Sequence, residues 1–354
     1  MKKLVALILT LAMCTTLLVG CGSTAPSNNS NKSNKIKIVT TIYPEYDWVK
    51  QILGDKADQA DITLLLNNGV DLHSYQPTTD DLMKISDCDL FIYVGGESDK
   101  WVKDALAQSK NKNMKVINLL EVLGDNVKNE EMVEGMQAED EHDHDHDHDH
   151  DKDEAHHDKD DKTHEDEHDK DHKHEAEQDE HVWLSLQNAQ KFVLSIEDAL
   201  SSIDKDNADA YEKNATNYNA KLNELNIQYK ETTEKAAQKT LLFGDRFPFR
   251  YLVDDYGLDY YAAFIGCSAE TEASFETINF LAKKVDELKL KSIITIENSD
   301  KKLAETIKNN TTSKDQKILT LNSMQSINSK DIDGGTSYLS IMEDNLEVLK
   351  EALA

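Results

Sequence analysis

Between Glu139 and His181 the chain holds twelve of its thirteen histidines, 22 Asp and Glu residues and five Lys. A stretch of that composition cannot bury enough apolar surface to offset the entropy of ordering it. It predicts a segment, residues 139–180, that is disordered without a ligand, so any core must be built from the chain on either side. The stretch carries a net −17 of the −29 borne by all 354 residues. So acidic a chain repels phosphate backbones, which argues against nucleic acid as a partner and suits a protein that gathers cations. Neutral imidazole is a good ligand for zinc, nickel, copper and cobalt. Alternate residues of an extended chain share a face. His142, His144, His146, His148 and His150, with His156 and His157 beyond them, therefore present several nitrogens together among carboxylates. Weak, multiple, fast-exchanging accessory metal sites are the expectation. A solvated low-complexity linker would account for the acids but not for so many histidines.

The flanking chain alternates strand and helix. Strands are expected at Ile36 to Ile42, Ala60 to Leu66, Leu90 to Val94 and Met114 to Asn118. Helices start at Tyr43-Pro44 and at the capping run Thr78 to Asp81, and another covers Ser98 to Gln108. After the acidic run, Asn188 to Ile203 reads as a helix. Asp206 to Lys239 follows with no Gly or Pro and with apolar residues at helical spacing: Tyr211, Ala215, Tyr218, Leu222, Leu225 and Tyr229. The alternation then resumes, with strands at Leu241 to Gly244, Tyr260 to Phe264, Ser292 to Glu297 and Lys317 to Leu321. The pattern predicts an α/β protein of two lobes, each with a mostly parallel sheet flanked by helices, joined by one long spine helix. The divisions are 36–204 for the N-terminal lobe, 205–239 for the spine and 240–354 for the C-terminal lobe. Ligands of such sheets bind beyond the carboxyl ends of the strands, here in the cleft between lobes.

The N-terminus reads as a processing signal. Met1-Lys2-Lys3 is basic, and Leu4 to Gly20 is mostly apolar and short for a membrane span. Leu18-Val19-Gly20-Cys21 resembles a bacterial lipobox, which implies a signal peptide over 1–20, a lipid on Cys21 and a flexible tether over 21–35. The protein is then expected outside the cytoplasm, anchored to the membrane by that lipid. Cys88 and Cys267 remain. Their pairing is left open, since two cysteines define no framework. Cys88, beside Leu90 to Val94, reads as a buried inert thiol.

Two histidines are candidates for fixed positions. His73 lies in Asp71-Leu72-His73-Ser74-Tyr75-Gln76-Pro77, after the second strand and before a capped helix. His181 closes the acidic run in Asp179-Glu180-His181-Val182-Trp183-Leu184-Ser185, where ordered sequence resumes. Here the chain resembles the solute-binding lipoproteins of zinc and manganese ABC importers, the TroA-like class. Asp71 to Pro77 is similar to that family's Asp-Pro-His-Ser-Tyr/Phe-Glu-Pro, with Leu72 and Gln76 as departures. Asp179 to Leu186 is similar to its Asp-x-His-x-Trp-Leu-Ser/Asp-Pro, with Leu186 in place of Pro. A His/Asp-rich insert before the second histidine is typical of zinc members. The resemblance implies a monomeric receptor that captures Zn2+, rather than Mn2+ or another divalent metal, for an ABC permease, with no enzymatic step.

The resemblance breaks in the second lobe. Counting back from Tyr256-Gly257-Leu258 puts Arg246 where the family has its third ligand, and arginine has no lone pair to give. No histidine follows His181, and the family's last acid falls near Asn322. Candidate replacements are Asp245, which follows a strand end and is ranked first, Cys267 and Glu270, just beyond another strand, and Glu297, which ends a third. Two other functions fit parts of the pattern. One is a surface metal buffer or chaperone with the histidine run as its working part. The other is a zinc hydrolase, which would keep three protein ligands, a water and a nearby acid or base at its metal.

Overall fold

The computed structural model describes residues 35–137, 177–268 and 272–354. The signal segment, Cys21, nearly all of the tether, the accessory histidines from His142 to His157 and Glu270 lie outside the described residues. Among the described residues no helix is long and apolar enough to cross a membrane.

The first lobe is a sheet of β1 (Ile36–Thr40), β2 (Ala60–Leu64), β3 (Leu90–Tyr93) and β4 (Lys115–Asn118), all parallel, in the order β2-β1-β3-β4. Helices α1 (Tyr43–Leu53), α2 (Thr79–Asp87), α3 (Val102–Ala107), α4 (Leu119–Leu123) and α5 (Leu186–Ile203) accompany it. Then α6 (Ala208–Lys235) forms the spine. The second lobe has β5 (Thr240–Phe247), β6 (Asp259–Ile265), β7 (Ser292–Ile296) and β8 (Lys317–Leu321), again parallel, in the order β6-β5-β7-β8. With it run α7 (Arg250–Asp255), α8 (Phe275–Leu288), α9 (Lys302–Asn310), α10 (Ser329–Asp333) and α11 (Tyr338–Ala352). The two sheets thus share one topology. In each the order reverses beside the first strand, so loops leaving the carboxyl ends open a crevice there. Every residue of β7 is buried, as expected of a parallel strand covered on both faces.

The spine buries Tyr211, Ala215, Tyr218, Leu222, Leu225, Tyr229 and Thr233, one stripe at helical spacing. Tyr218 Oη donates to Asp47 of α1 at 3.4 Å, and Tyr229 Oη to the Met342 carbonyl of α11 at 2.6 Å, so one helix is fastened to both lobes. Two caps start helices just beyond the candidate histidines. Thr78 Oγ1 accepts from Asp81 N at 3.2 Å while Asp81 accepts from Thr78 N at 2.9 Å, and Ser185 Oγ accepts from Asn188 N at 3.0 Å. These caps fix where the loops carrying His73 and His181 must end.

One boundary differs in a way that bears on the site. The strand expected to stop at Gly244 continues to Phe247, with an irregularity between Phe243 and Arg246. Gly244 is there for close packing and not to end the strand, since a Cβ on it would stand 2.8 Å from the Ala304 Cα of α9. Asp245 and Arg246 therefore sit within β5. Ser98 is likewise outside a helix, because α3 begins only at Val102.

Candidate metal centre

His73 and His181 meet. Their Nε2 atoms are 3.2 Å apart, although 108 residues separate them. His73 stands on a short turn, Leu72–Ser74, that follows β2, with Asp71 accepting the His73 N–H at 3.0 Å. Asp179 does the same for His181, accepting its backbone N–H at 2.9 Å. The His181 region is tied to the second lobe by Trp183 Nε1, which donates to the Ser323 carbonyl at 2.8 Å, and by Tyr338 Oη, which donates to the Trp183 carbonyl at 2.7 Å. His181 is fully buried. Gly266 closes over its ring, since a Cβ there would lie 2.9 Å from His181 Cε1. Gly96, at φ +84°, clears room for the Glu180 carboxylate, which a Cβ would overlap.

The far nitrogens set the tautomers. Asp179 Oδ1 accepts from His181 Nδ1 at 3.0 Å, so in the neutral ring that nitrogen carries the proton and Nε2 keeps a lone pair. His73 Nδ1 lies 2.9 Å from Ser98 Oγ and 3.4 Å from Glu180 Oε2, which turns its Nε2 lone pair the same way. Two lone pairs facing at 3.2 Å repel unless a cation stands between them. Two imidazole nitrogens on one tetrahedral zinc, each at ~2.0–2.1 Å, are themselves about 3.3 Å apart.

The second lobe adds Cys267, just beyond β6. Its Sγ and one ring nitrogen from each of His73 and His181 all lie within 4.8 Å of one another. Among the described residues these three form the one such grouping of His, Cys, Asp and Glu. Cys88 is buried, and both cysteines are free, so the pair forms no disulfide. Arg246 does not reach inward as a ligand would. Its Nη2 donates to Asp71 Oδ2 at 2.8 Å and its Nη1 to the Ser268 carbonyl at 3.3 Å. Asp245 is engaged by backbone amides, that of Arg246 at 2.9 Å and that of Ile296 at 3.4 Å. Glu297 accepts from Ser323 N at 2.6 Å and Gln325 N at 3.0 Å, bracing the loop after β8. Asn322 Oδ1 accepts from Met324 N at 2.8 Å within that same loop.

Sequence reasoning did not single out Glu130, Ser98 or Gln325. Glu130 Oε1 accepts the Cys267 N–H at 3.0 Å across 137 positions, and no local pattern announces that contact. With its amide nitrogen turned to Asp71, 2.7 and 3.0 Å from the two oxygens, Gln325 places its own oxygen 3.0 Å from His181 Nε2, where it accepts the second proton of the imidazolium form that zinc would displace.

The field around the centre is that of a cation site. Burial would push the Asp71 carboxyl up, but His73 and Arg246 hold it below the usual range. Burial likewise opposes ionisation of Glu180, and hydrogen bonds with His73 and Ser98 hold it low. Burial would lower His181, yet Asp179, Glu130 and Glu180 outweigh it and keep the ring more basic than usual. Burial and then Glu130 push the Cys267 thiol up, so without metal it stays protonated. Asp71, Glu130, Asp179 and Glu180 thus surround two imidazoles and a thiol, with Arg246 alongside.

Two imidazoles and a thiol thus converge where the carboxyl ends of the two sheets meet. The chain belongs to the family described as zinc-uptake complex component A, periplasmic, whose model matches residues 38–352. It is 34% identical over 353 residues to the zinc-binding lipoprotein AdcA of Streptococcus pneumoniae (strain ATCC BAA-255 / R6), covering 99% of this chain but 61% of that protein. It therefore spans under two thirds of that relative's length. It is 32% identical to the high-affinity zinc uptake system protein ZnuA of Bacillus subtilis (strain 168), covering 97% of this chain and 96% of that one. The crystal structure of the Zn(II)-bound ZnuA-like domain of Streptococcus pneumoniae AdcA superposes with a TM-score of 0.65 at 30% identity, covering 90% of this chain and 99% of that one. The metal-dependent lipoprotein YcdH of Bacillus subtilis does so with a TM-score of 0.66 at 28% identity, covering 89% and 98%.

Proposed function

We propose that this protein is the extracytoplasmic zinc receptor of an ABC importer, held to the membrane by a lipid on Cys21. It captures Zn2+ between its lobes through His73 and His181 and hands it to a permease without chemical change. The observation that carries this reading is the pair of Nε2 lone pairs set 3.2 Å apart by Asp179 on one side and Ser98 with Glu180 on the other. Relatives named as zinc-binding and zinc-uptake proteins support zinc as the cargo. A receptor must release what it binds, and a site divided between two lobes allows that by their opening. The histidine-rich run serves as an accessory collector of metal, with many weak sites.

Calorimetric zinc titration tests the reading, using the chain with and without residues 139–180, each compared with its His73→Ala variant. One tight site that survives the deletion and is abolished by His73→Ala is the expected result. Loss of all binding on deletion would make the protein a histidine-rich buffer, with the lobes as scaffold.

A further inference from the structure

We infer that Cys267 is the second lobe's ligand, making the centre a two-nitrogen, one-sulfur site that selects thiophilic and borderline divalent metals over manganese and magnesium. This rests on the receptor reading above and adds to it the ligand from the second lobe and the class of metal.

The other described carboxylates around the two imidazoles are engaged. Asp71 is held by Arg246 and by the His73 amide, Asp179 by His181, and Glu180 by the Ser98 amide at 2.9 Å. Asp245 and Glu297 are engaged by backbone amides of their own lobe. Among the described residues, Cys267 is the second-lobe donor whose ligand atom lies in the same grouping as the two imidazoles. It reaches that position because β5 and β6 pair Phe247 with Ile265, which leaves Gly266 and Cys267 as the first residues past the paired edge. Gly266 lets the turn lie flat on the His181 ring, and Glu130 anchors the Cys267 amide. The donor thus comes from β6, while β5 presents at Arg246 a cation that neutralises Asp71.

A tetrahedral zinc at ~2.3 Å from sulfur and ~2.0–2.1 Å from nitrogen needs sulfur and nitrogen about 3.6 Å apart. From the present 4.8 Å limit, a shift of the turn of about 1 Å suffices, and it draws the second lobe onto the first. As the metal–sulfur bond forms, the S–H bond breaks heterolytically. The pair stays on sulfur and the proton is released to solvent, with no change of oxidation state. Thiolate favours zinc, cobalt and cadmium, whereas manganese and magnesium prefer carboxylate, carbonyl and water oxygens.

Cobalt(II) loading of the full chain tests this, because a thiolate ligand adds a cobalt charge-transfer absorption that imidazole and carboxylate do not. The histidine-rich run contains no cysteine and is silent in that band. We expect one sulfur-bound cobalt per chain, displaced by zinc and not by equimolar manganese. The band should persist in a Cys14→Ser, Cys21→Ser, Cys88→Ser variant, in which Cys267 is the sole thiol. It should vanish in Cys267→Ser, with zinc affinity down at least ~10-fold by chelator competition, and Cys267→His should restore affinity without the band. The three-cysteine variant decides the matter even if Cys267→Ser fails to fold. A wild-type chain that keeps one tight zinc site sensitive to His73→Ala but shows no band would overturn sulfur ligation and leave the receptor standing. Absence of any tight zinc site would remove both.

Discussion

The two Asp-x-His turns of the first lobe begin alike and end differently. In each, the aspartate accepts the backbone N–H of the histidine two residues on, at 3.0 Å for Asp71 and 2.9 Å for Asp179. Asp179 also takes His181 Nδ1, so one carboxylate sets both backbone and ring. Asp71 turns instead to Arg246 of the other lobe and leaves His73 Nδ1 to Ser98 and Glu180. The same local motif thus fixes one imidazole by itself and lends the other aspartate to an inter-lobe ion pair. A shared turn determines where a ring starts, and the tertiary partners determine what holds it.

The difference predicts unequal responses. Asp179→Asn leaves His181 without its charged orienting partner and should weaken zinc binding by ~10–100-fold in a chelator-competed titration. Ser98→Ala removes one of two groups at His73 Nδ1 and should cost less than about fivefold, because Glu180 remains. Equal losses would mean that both rings are held by shared packing and not by separate partners. The pH dependence sharpens the point. His181 is more basic than an ordinary histidine, so its imidazolium stabilises the metal-free fold. That contribution is complete below ~6.5, the unfolded value, and is lost as pH rises through the folded value. Zinc needs the neutral ring, so the His181 share of the affinity is complete above the folded value and falls as pH drops through it, by up to ~10-fold per unit, in addition to the slope from the proton that Cys267 gives up. The fall should begin above pH ~6.5 in the wild type and at lower pH in Asp179→Asn, where the largest of the charges that raise His181 is gone.

Much of this was legible in the sequence, for identifiable reasons. The spine announced itself because a long stretch without Gly or Pro repeats its apolar stripe at one spacing. His73 and His181 were legible because each carries its aspartate two residues before it and stands where ordered structure meets a strand end or a capped helix. The centre's second-lobe side was legible only as a choice among four replacement ligands, with Asp245 ranked above Cys267. Placing Cys267 beside His181 depends on the register of β5 on β6, and the Glu130 contact spans 137 positions. Gly244 read as a strand end because a glycine that admits a neighbouring helix and one that ends a strand look the same in one dimension.

Arg246 is the partner that separates the two turns, and removing it should move affinity the other way. Its guanidinium sits 2.8 Å from Asp71, whose Oδ1 is 3.9 Å from His73 Nε2. Arg246→Met deletes a cation near the centre and frees Asp71 to attract metal, so zinc should bind several-fold more tightly. The same substitution removes an inter-lobe tie, so the metal-free protein should unfold at lower denaturant concentration. Weaker zinc binding instead would show that Asp71 matters for shape more than for charge, and its turn would then resemble that of Asp179.

The smallest effect belongs to Asp245, which the strand pattern had ranked first among replacement ligands. Within β5 its Oδ1 accepts the Arg246 N–H and its Oδ2 the Ile296 N–H, so the carboxylate joins β5 to β7 rather than facing the two imidazoles. Asp245→Asn keeps an oxygen for the nearer amide and removes a charge from a half-buried position. Zinc affinity should stay within about twofold of wild type, and stability within ~1 kcal/mol by denaturant titration, the scale of one altered hydrogen bond. A loss of tenfold or more would place β5's carboxylate on the metal. The second lobe would then supply an acid as well as Cys267, and its contribution would match the first lobe's two donors.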